Sequence, residues 1–338
     1  MQAEFEIRVQ NYLSSVESVG KMYGKVKRDQ VKLLLDVSGR FIHDCVADRV
    51  SYELLERFTE SREYLASQLD GEREIIENST RAHFLSRHVQ KGESAETFEC
   101  HFLNKTSGDQ TGVIAMICSK KYFVKTHQHG PTFSNPRSVC RPDSKEIFIY
   151  KLLALSGLGP AAHFILPIHG QRRTIYIATE DASFTQLIDL TEETADFKAL
   201  LLLDLIARIL CLSDCTTNET NCGQSAGEPV IVDFRILERE DYSKSDVLQR
   251  FVNGNKEYNY TNLMMRATSV NKELKISIAT EALALWSLLD NIKYAETETR
   301  AVMTRIKGDD GDPELIRYVE GVSRTVKCLL QDLKNSSV

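Results

Sequence analysis

Pro229-Val230-Ile231-Val232-Asp233-Phe234 is a short apolar run that stops abruptly at a carboxylate. Its length and β-branched content read as a brief buried strand, and a carboxylate at the end of such a strand is delivered to the rim of a fold. Just upstream, the polar stretch Ser213-Asp214-Cys-Thr-Thr-Asn-Glu-Thr-Asn221-Cys-Gly223 follows the apolar run Ala199 to Leu212. Helix, polar loop and carboxylate-ended strand in that order concentrate Asp214, Asn218, Asn221 and Asp233 in a short length of chain.

Working outward, the periodicity changes twice. Residues 1 to 92 read as helical: Phe5, Val9, Tyr12, Leu13, Val16 and Val19 recur at helical spacing, as do Val31, Leu34, Leu35, Val37, Phe41, Ile42 and Cys45. Tyr52 to Leu69 and Glu72 to Val89 add two more helical patterns, separated by Asp70-Gly71. From about 96 to 180 the period is that of strands. Thr97 to Leu103 and Gly112 to Ile117 flank a turn-rich stretch, and Tyr122, Val124 and Thr126 share one face of a third strand with Phe123 and Lys125 on the other. A loop over 130 to 142 leads into a helix from Lys145 to Leu155, and Phe164 to Ile168 and Arg173 to Ala178 complete the strands. From 181 to 338 the chain is mainly helical: Thr191 caps a helix through Leu212, a polar loop covers 213 to 228, and helices are expected over Ala279 to Ile306 and Pro313 to Leu333.

Composition bounds the function classes. The 338 residues are 42% hydrophobic and 27% charged, as in a globular protein rather than a disordered or fibrous one. A net charge of -6 argues against a general nucleic-acid binder, and the basic run Ser119 to Lys125 reads more simply as a solvated strand edge. The N-terminal MQAEFEIRVQ lacks a basic stretch followed by an apolar one, so no secretory signal is expected, and no membrane span is expected either. The eight cysteines then read as reduced thiols, and the expected location is intracellular, cytoplasm or nucleus. Cys211, Cys215 and Cys222 match no common zinc spacing, and His127-Gln-His129 reads as polar surface.

A strand-rich lobe containing one helix, then a mainly helical lobe, with Lys125, Glu146, Asp214, Asn221 and Asp233 at the joins, resembles the protein-kinase-like superfamily, including its aminoglycoside and choline phosphotransferase branches. The resemblance covers about residues 96 to 338. It implies an α+β, bilobal protein-kinase-like fold with an N-terminal helical extension, divided into a helical region at 1–92, an N-lobe at 96–180 and a C-lobe at 181–338. It further implies that ATP and Mg2+ bind: Lys125 contacts phosphate, Glu146 holds Lys125, Gly108 and Gly112 belong to the phosphate-covering loop, and Glu180 marks the linker beside adenine. Asp214 would orient the acceptor hydroxyl, and Asn221, with Asn218 in competition, would hold metal together with Asp233.

Departures from the family pattern open a second possibility. No His-Arg or His-Gly accompanies Asp214, its spacing to Asn221 is longer than usual, and Arg235 stands where glycine often follows Asp-Phe. The phosphate loop is poor in glycine and carries Asp109, and no Ala-Pro-Glu anchor follows. The two readings are therefore ATP/Mg-dependent phosphotransfer to a small-molecule hydroxyl acceptor, and a pseudokinase scaffold that meets a protein partner through its N-terminal helices.

Overall fold

The computed structural model describes residues 2–19, 72–105, 110–130, 141–167, 174–215, 218–254, 262–307 and 312–336, with a few single positions between 30 and 65. The helical patterns read over 31–45 and 52–69 lie, apart from those positions, outside the described residues, as do Gly108 and most of the loop over 130–142. The chain is a mixed α+β fold of two compact units, Met1–Pro142 with Ile165–Ala178, and Asp143–Phe164 with Thr179–Val338.

In the first unit, helix α1 (Gln2–Val19) buries Val9, Tyr12, Val16 and Val19, a stripe at helical spacing. Helix α2 (Glu72–Gln90) packs against a sheet built from β1 (Cys100–Asn104), β2 (Gly112–Ile117) and β3 (Lys120–Thr126), continued by β5 (Tyr176–Glu180) and β4 (Ala162–Ile165) in the order β1-β2-β3-β5-β4. The core between helix and sheet contains Ile76, Phe84, Val113, Ala115, Tyr122 and Val124, with the Phe84 and Tyr122 rings 4.6 Å apart. Tyr122, Val124 and Thr126 are buried while Phe123 is exposed and Lys125 half-buried, as their alternation requires. The basic run expected at a solvated edge lies instead on β3, an interior strand between β2 and β5. Its lysines Lys120, Lys121 and Lys125 stay exposed or half-buried on a paired strand, and the Lys121 ammonium lies over the Phe123 ring at 4.6 Å.

The second unit is organised around helix α4 (Phe197–Leu210), buried at every position from Ala199 to Leu210. Helices α5 (Val247–Asn253), α6 (Asn262–Ala267), α7 (Lys272–Trp286) and α9 (Pro313–Ser336) pack on it. Burying each of its leucines contributes roughly 1.5–3 kcal/mol. Its charged groups are matched locally: Arg208 Nε donates to both Asp204 carboxylate oxygens at 2.9 Å. The buried Lys275 ammonium donates to the Phe251 and Val252 carbonyls at the end of α5, at 3.1 and 3.0 Å. Gly321 lets α9 close on Tyr242, since a Cβ there would stand 2.7 Å from the tyrosine Cβ.

Two helix boundaries differ from the sequence expectation. Helix α4 starts at Phe197, because Asp196 supplies the capping oxygen to Lys198 N–H at 2.8 Å, whereas Thr191 N–H bonds to Thr194 Oγ1 in a separate turn. The helix expected over 279–306 is two helices, α7 and α8 (Leu288–Lys307), broken at Ser287 with φ 47°. Asn291 Nδ2 stabilises the break by donating to the Trp286 carbonyl at 2.9 Å. Helix α8 packs along α3 (Ser144–Leu155), which Asp143 caps through Lys145 N–H at 2.8 Å. Among the described residues no helix is long and apolar enough to cross a membrane.

Candidate functional site

The chain leaves α4 through Cys211 in the left-handed conformation and enters β7 (Leu212–Ser213). Beyond Asp214 it runs through β8 (Cys222–Ser225) and β9 (Glu228–Ile231), passes Asp233 and ends in β10 (Arg235–Ile236), which pairs antiparallel with β7. The pairing Arg235↔Ser213 brings the residue after Asp233-Phe234 beside the residue before Asp214. Part of the polar loop expected over 213–228 is thus a hairpin strand. Its turn, Ala226-Gly227, has φ of 51° and 81°, the doubly left-handed geometry that a two-residue hairpin demands. On the other edge of β8 lies β6 (Thr185–Gln186), and a Cβ on Gly223 would stand 1.9 Å from the Thr185 carbonyl oxygen. Only glycine permits that approach.

Asp214, Asn221 and Asp233 meet within this unit. The Asn221 carbonyl accepts from Val232 N–H at 2.9 Å and from Asp233 N–H at 3.3 Å, and Asn221 Nδ2 donates to the Asp214 carbonyl at 3.3 Å. Asn218, the competing asparagine, has its side-chain oxygen engaged by Thr220 N–H and Oγ1 at 3.3 and 2.8 Å. The asparagine whose backbone bonds to Val232 and Asp233 is therefore Asn221. Asp233 Oδ1 accepts from Phe234 N–H at 2.9 Å and from Tyr150 of α3 at 3.5 Å, with the Tyr150 and Phe234 rings 4.7 Å apart. Asp214 takes a φ of 64°, a conformation aspartate tolerates better than most residues, and its Oδ2 pairs with Arg235 Nε at 2.9 Å.

The remaining expected site residues lie on other elements. Lys125 lies near the end of β3 in the first unit, in register with Gly112. A Cβ on Gly112 would lie 2.3 Å from the Val124 carbonyl, so this glycine is required by the β2–β3 approach itself. Glu146 is buried in the first turn of α3, in the second unit. Glu180 closes β5, its N–H bonded to the Ala161 carbonyl at 3.0 Å.

Three polar contributors escaped the sequence reading. Tyr150 reads as a buried helix position, Arg235 as a departure from a pattern, and Lys145 as a helix-start residue, because each finds its partner far along the chain. Lys145 is 1% exposed and reaches Glu238 at 3.0 Å, Glu314 at 3.5 Å and Asp143 at 3.6 Å. Burial lowers its pKa, but the Glu238 hydrogen bond, with Asp143 and Tyr242 beside it, outweighs burial and holds the ammonium above the usual lysine range. This cluster ties α3 to the segment following β10 and to the start of α9.

Burial pushes the thiols of Cys211, Cys215 and Cys222 up, Cys222 to about 12, so all three are neutral interior groups. His127, expected at the surface, is fully buried, and neither ring nitrogen has a hydrogen-bond partner among the described residues. Burial, with His129 nearby, lowers its pKa to about 4. Among the described residues no group of three or more His, Cys, Asp and Glu side chains could hold a metal ion. Asn221 and Asp233 each carry a side-chain oxygen of the hard type that Mg2+ accepts. No protein-family model and no curated protein matches this chain.

Proposed function

We propose that the chain is a divergent kinase-like protein that binds ATP with Mg2+ and transfers a phosphoryl group to a hydroxyl acceptor. The observation that carries this reading is the bonding of Asn221 to both sides of the site: its carbonyl accepts from Val232 and Asp233, and its side chain donates to Asp214. These bonds tie together the backbone of residues whose side chains, two carboxylates and an amide, are of the types that phosphoryl transfer uses for metal binding and acceptor orientation. The sheet order β1-β2-β3-β5-β4, with α3 falling between β3 and β4 in the chain, supports the same reading.

In this mechanism Asn221 and Asp233 would hold the metal, and Lys125 would supply positive charge to the phosphates. Bound Mg2+ would offset the charge of the phosphate oxygens. Asp214 accepts the proton of the acceptor hydroxyl as its oxygen bonds to the terminal phosphorus and the bond to the ADP oxygen breaks. Tyr150 holds Asp233 in place from α3.

A second reading, a catalytically inactive scaffold, is favoured by one observation: the Asp214 carboxylate is already engaged by Arg235. Calorimetry of ATP with and without Mg2+, on the intact chain and on Asp233→Asn, separates the two. Magnesium-dependent binding that disappears in Asp233→Asn supports the phosphotransferase. A folded protein that binds no nucleotide under either condition leaves the scaffold.

A further inference from the structure

Arg235 is more than a departure from a pattern. Because β10 pairs with β7, Arg235 stands opposite Ser213, and its guanidinium reaches across to the next residue, Asp214, at 2.9 Å. Asp214 is turned into position by its left-handed backbone, and Asn218 N–H and Asn221 Nδ2 bond to its carbonyl at 3.3 Å each. Both members of the pair remain accessible, with side-chain exposures of 59% for Arg235 and 35% for Asp214. An ion pair in that setting is weak and exchanges readily for a better oxyanion.

We infer that Arg235 is the acceptor-recognition residue of this site and that the acceptor carries an oxyanion, phosphate or carboxylate, near its reacting hydroxyl. This rests on the phosphotransferase reading above. In the resting protein the guanidinium is held by Asp214. An acceptor oxyanion offers the guanidinium two parallel hydrogen bonds, draws it away, and leaves the Asp214 carboxylate to accept the hydrogen bond of the acceptor hydroxyl. Recognition of the anion and exposure of Asp214 are then one event, so a neutral hydroxyl compound or water meets an occupied carboxylate. Arg235 acts as a specificity-determining residue, and its pairing with Asp214 restrains idle ATP hydrolysis.

The test titrates inorganic phosphate into the intact protein by calorimetry, alongside Asp214→Asn, Arg235→Gln and Arg235→Lys. Removing the competing carboxylate in Asp214→Asn should tighten phosphate binding about two- to fivefold, the worth of an exposed ion pair. Arg235→Gln should weaken it about tenfold or more, and Arg235→Lys, a point charge without the fork, should fall between. Phosphate affinity that is the same in all four proteins, or undetectable even in Asp214→Asn, overturns the assignment. Repeating the titration with saturating non-hydrolysable ATP analogue and Mg2+ separates acceptor from nucleotide: phosphate binding that persists belongs to the acceptor side, and binding that vanishes assigns Arg235 to the nucleotide phosphate and overturns the acceptor class. Nucleotide binding is read in the same samples, so failure of the phosphotransferase reading is seen independently of the phosphate result.

Discussion

The two hairpins β2–β3 and β8–β9 use the same devices for different ends. Each turns through two left-handed residues, Cys118 and Ser119 in the first, Ala226 and Gly227 in the second. Each contains a glycine beside a neighbouring carbonyl where no side chain fits, Gly112 at Val124 and Gly223 at Thr185. The first hairpin buries a continuous apolar face against α2, so its stability comes from side chains. In the second only β9 is apolar, and the register does something else: it brings the Asn221 carbonyl to the N–H groups of Val232 and Asp233. One hairpin builds a core and the other ties Asn221 to Val232 and Asp233.

The largest expected effect follows from the closer of the two approaches. Gly223→Ala, whose Cβ would meet a backbone oxygen at 1.9 Å, should destabilise the protein by about 3 kcal/mol in denaturant unfolding and abolish magnesium-dependent nucleotide binding. Gly112→Ala, with 2.3 Å to its oxygen, should cost about 2 kcal/mol. If Gly112→Ala proves the more damaging, the ranking of the two approaches is wrong.

His127, directly after β3, gives the first hairpin a dependence on acid pH. Its folded pKa of about 4 lies below the ordinary histidine value of 6.5, so the unfolded chain binds its proton first as pH falls. This stability is fully present above pH 6.5 and is lost progressively down to about pH 4. Denaturant unfolding at pH 7 and pH 5 should show wild type losing about 2 kcal/mol more than His127→Leu. Equal losses in the two proteins would remove His127 as the source.

The smallest effects lie in the turns. Cys118→Asn with Ser119→Gly should stabilise by about 1 kcal/mol, since neither native residue favours φ above zero. Ala226→Asn should gain only about 0.5 kcal/mol, because Gly227 already suits its position. Thermal melts of both variants would sharpen the comparison, and a larger gain at Ala226 would reverse it.

The first hairpin was legible because β2 is a continuous short apolar run and β3 alternates, and α9 was legible because its apolar spacing is regular over several turns. Strand β8, Cys-Gly-Gln-Ser, has too little apolar content to announce itself, and Ala226-Gly227 is a faint turn signal. The break at Ser287 was hidden because α7 and α8 have uninterrupted helical composition and the residue that stabilises the break, Asn291, lies inside the second helix. His127 differs from its surface reading, and the burial of Lys145 leaves no trace in the sequence, for one reason: burial of a polar side chain is set by what packs over it, and local sequence carries no record of that.

The sequence by itself determined the succession of helical, strand-rich and helical segments, and the closeness along the chain of Asp214, Asn221 and Asp233. Period and composition are local quantities, so local physics suffices for them. Only the tertiary structure decided that Asn221 rather than Asn218 bonds to the Asp233 backbone, that Tyr150 steadies Asp233, and that Arg235 holds Asp214. Those outcomes depend on strand register and on contacts between residues distant in the chain, where a shift of one position exchanges every partner.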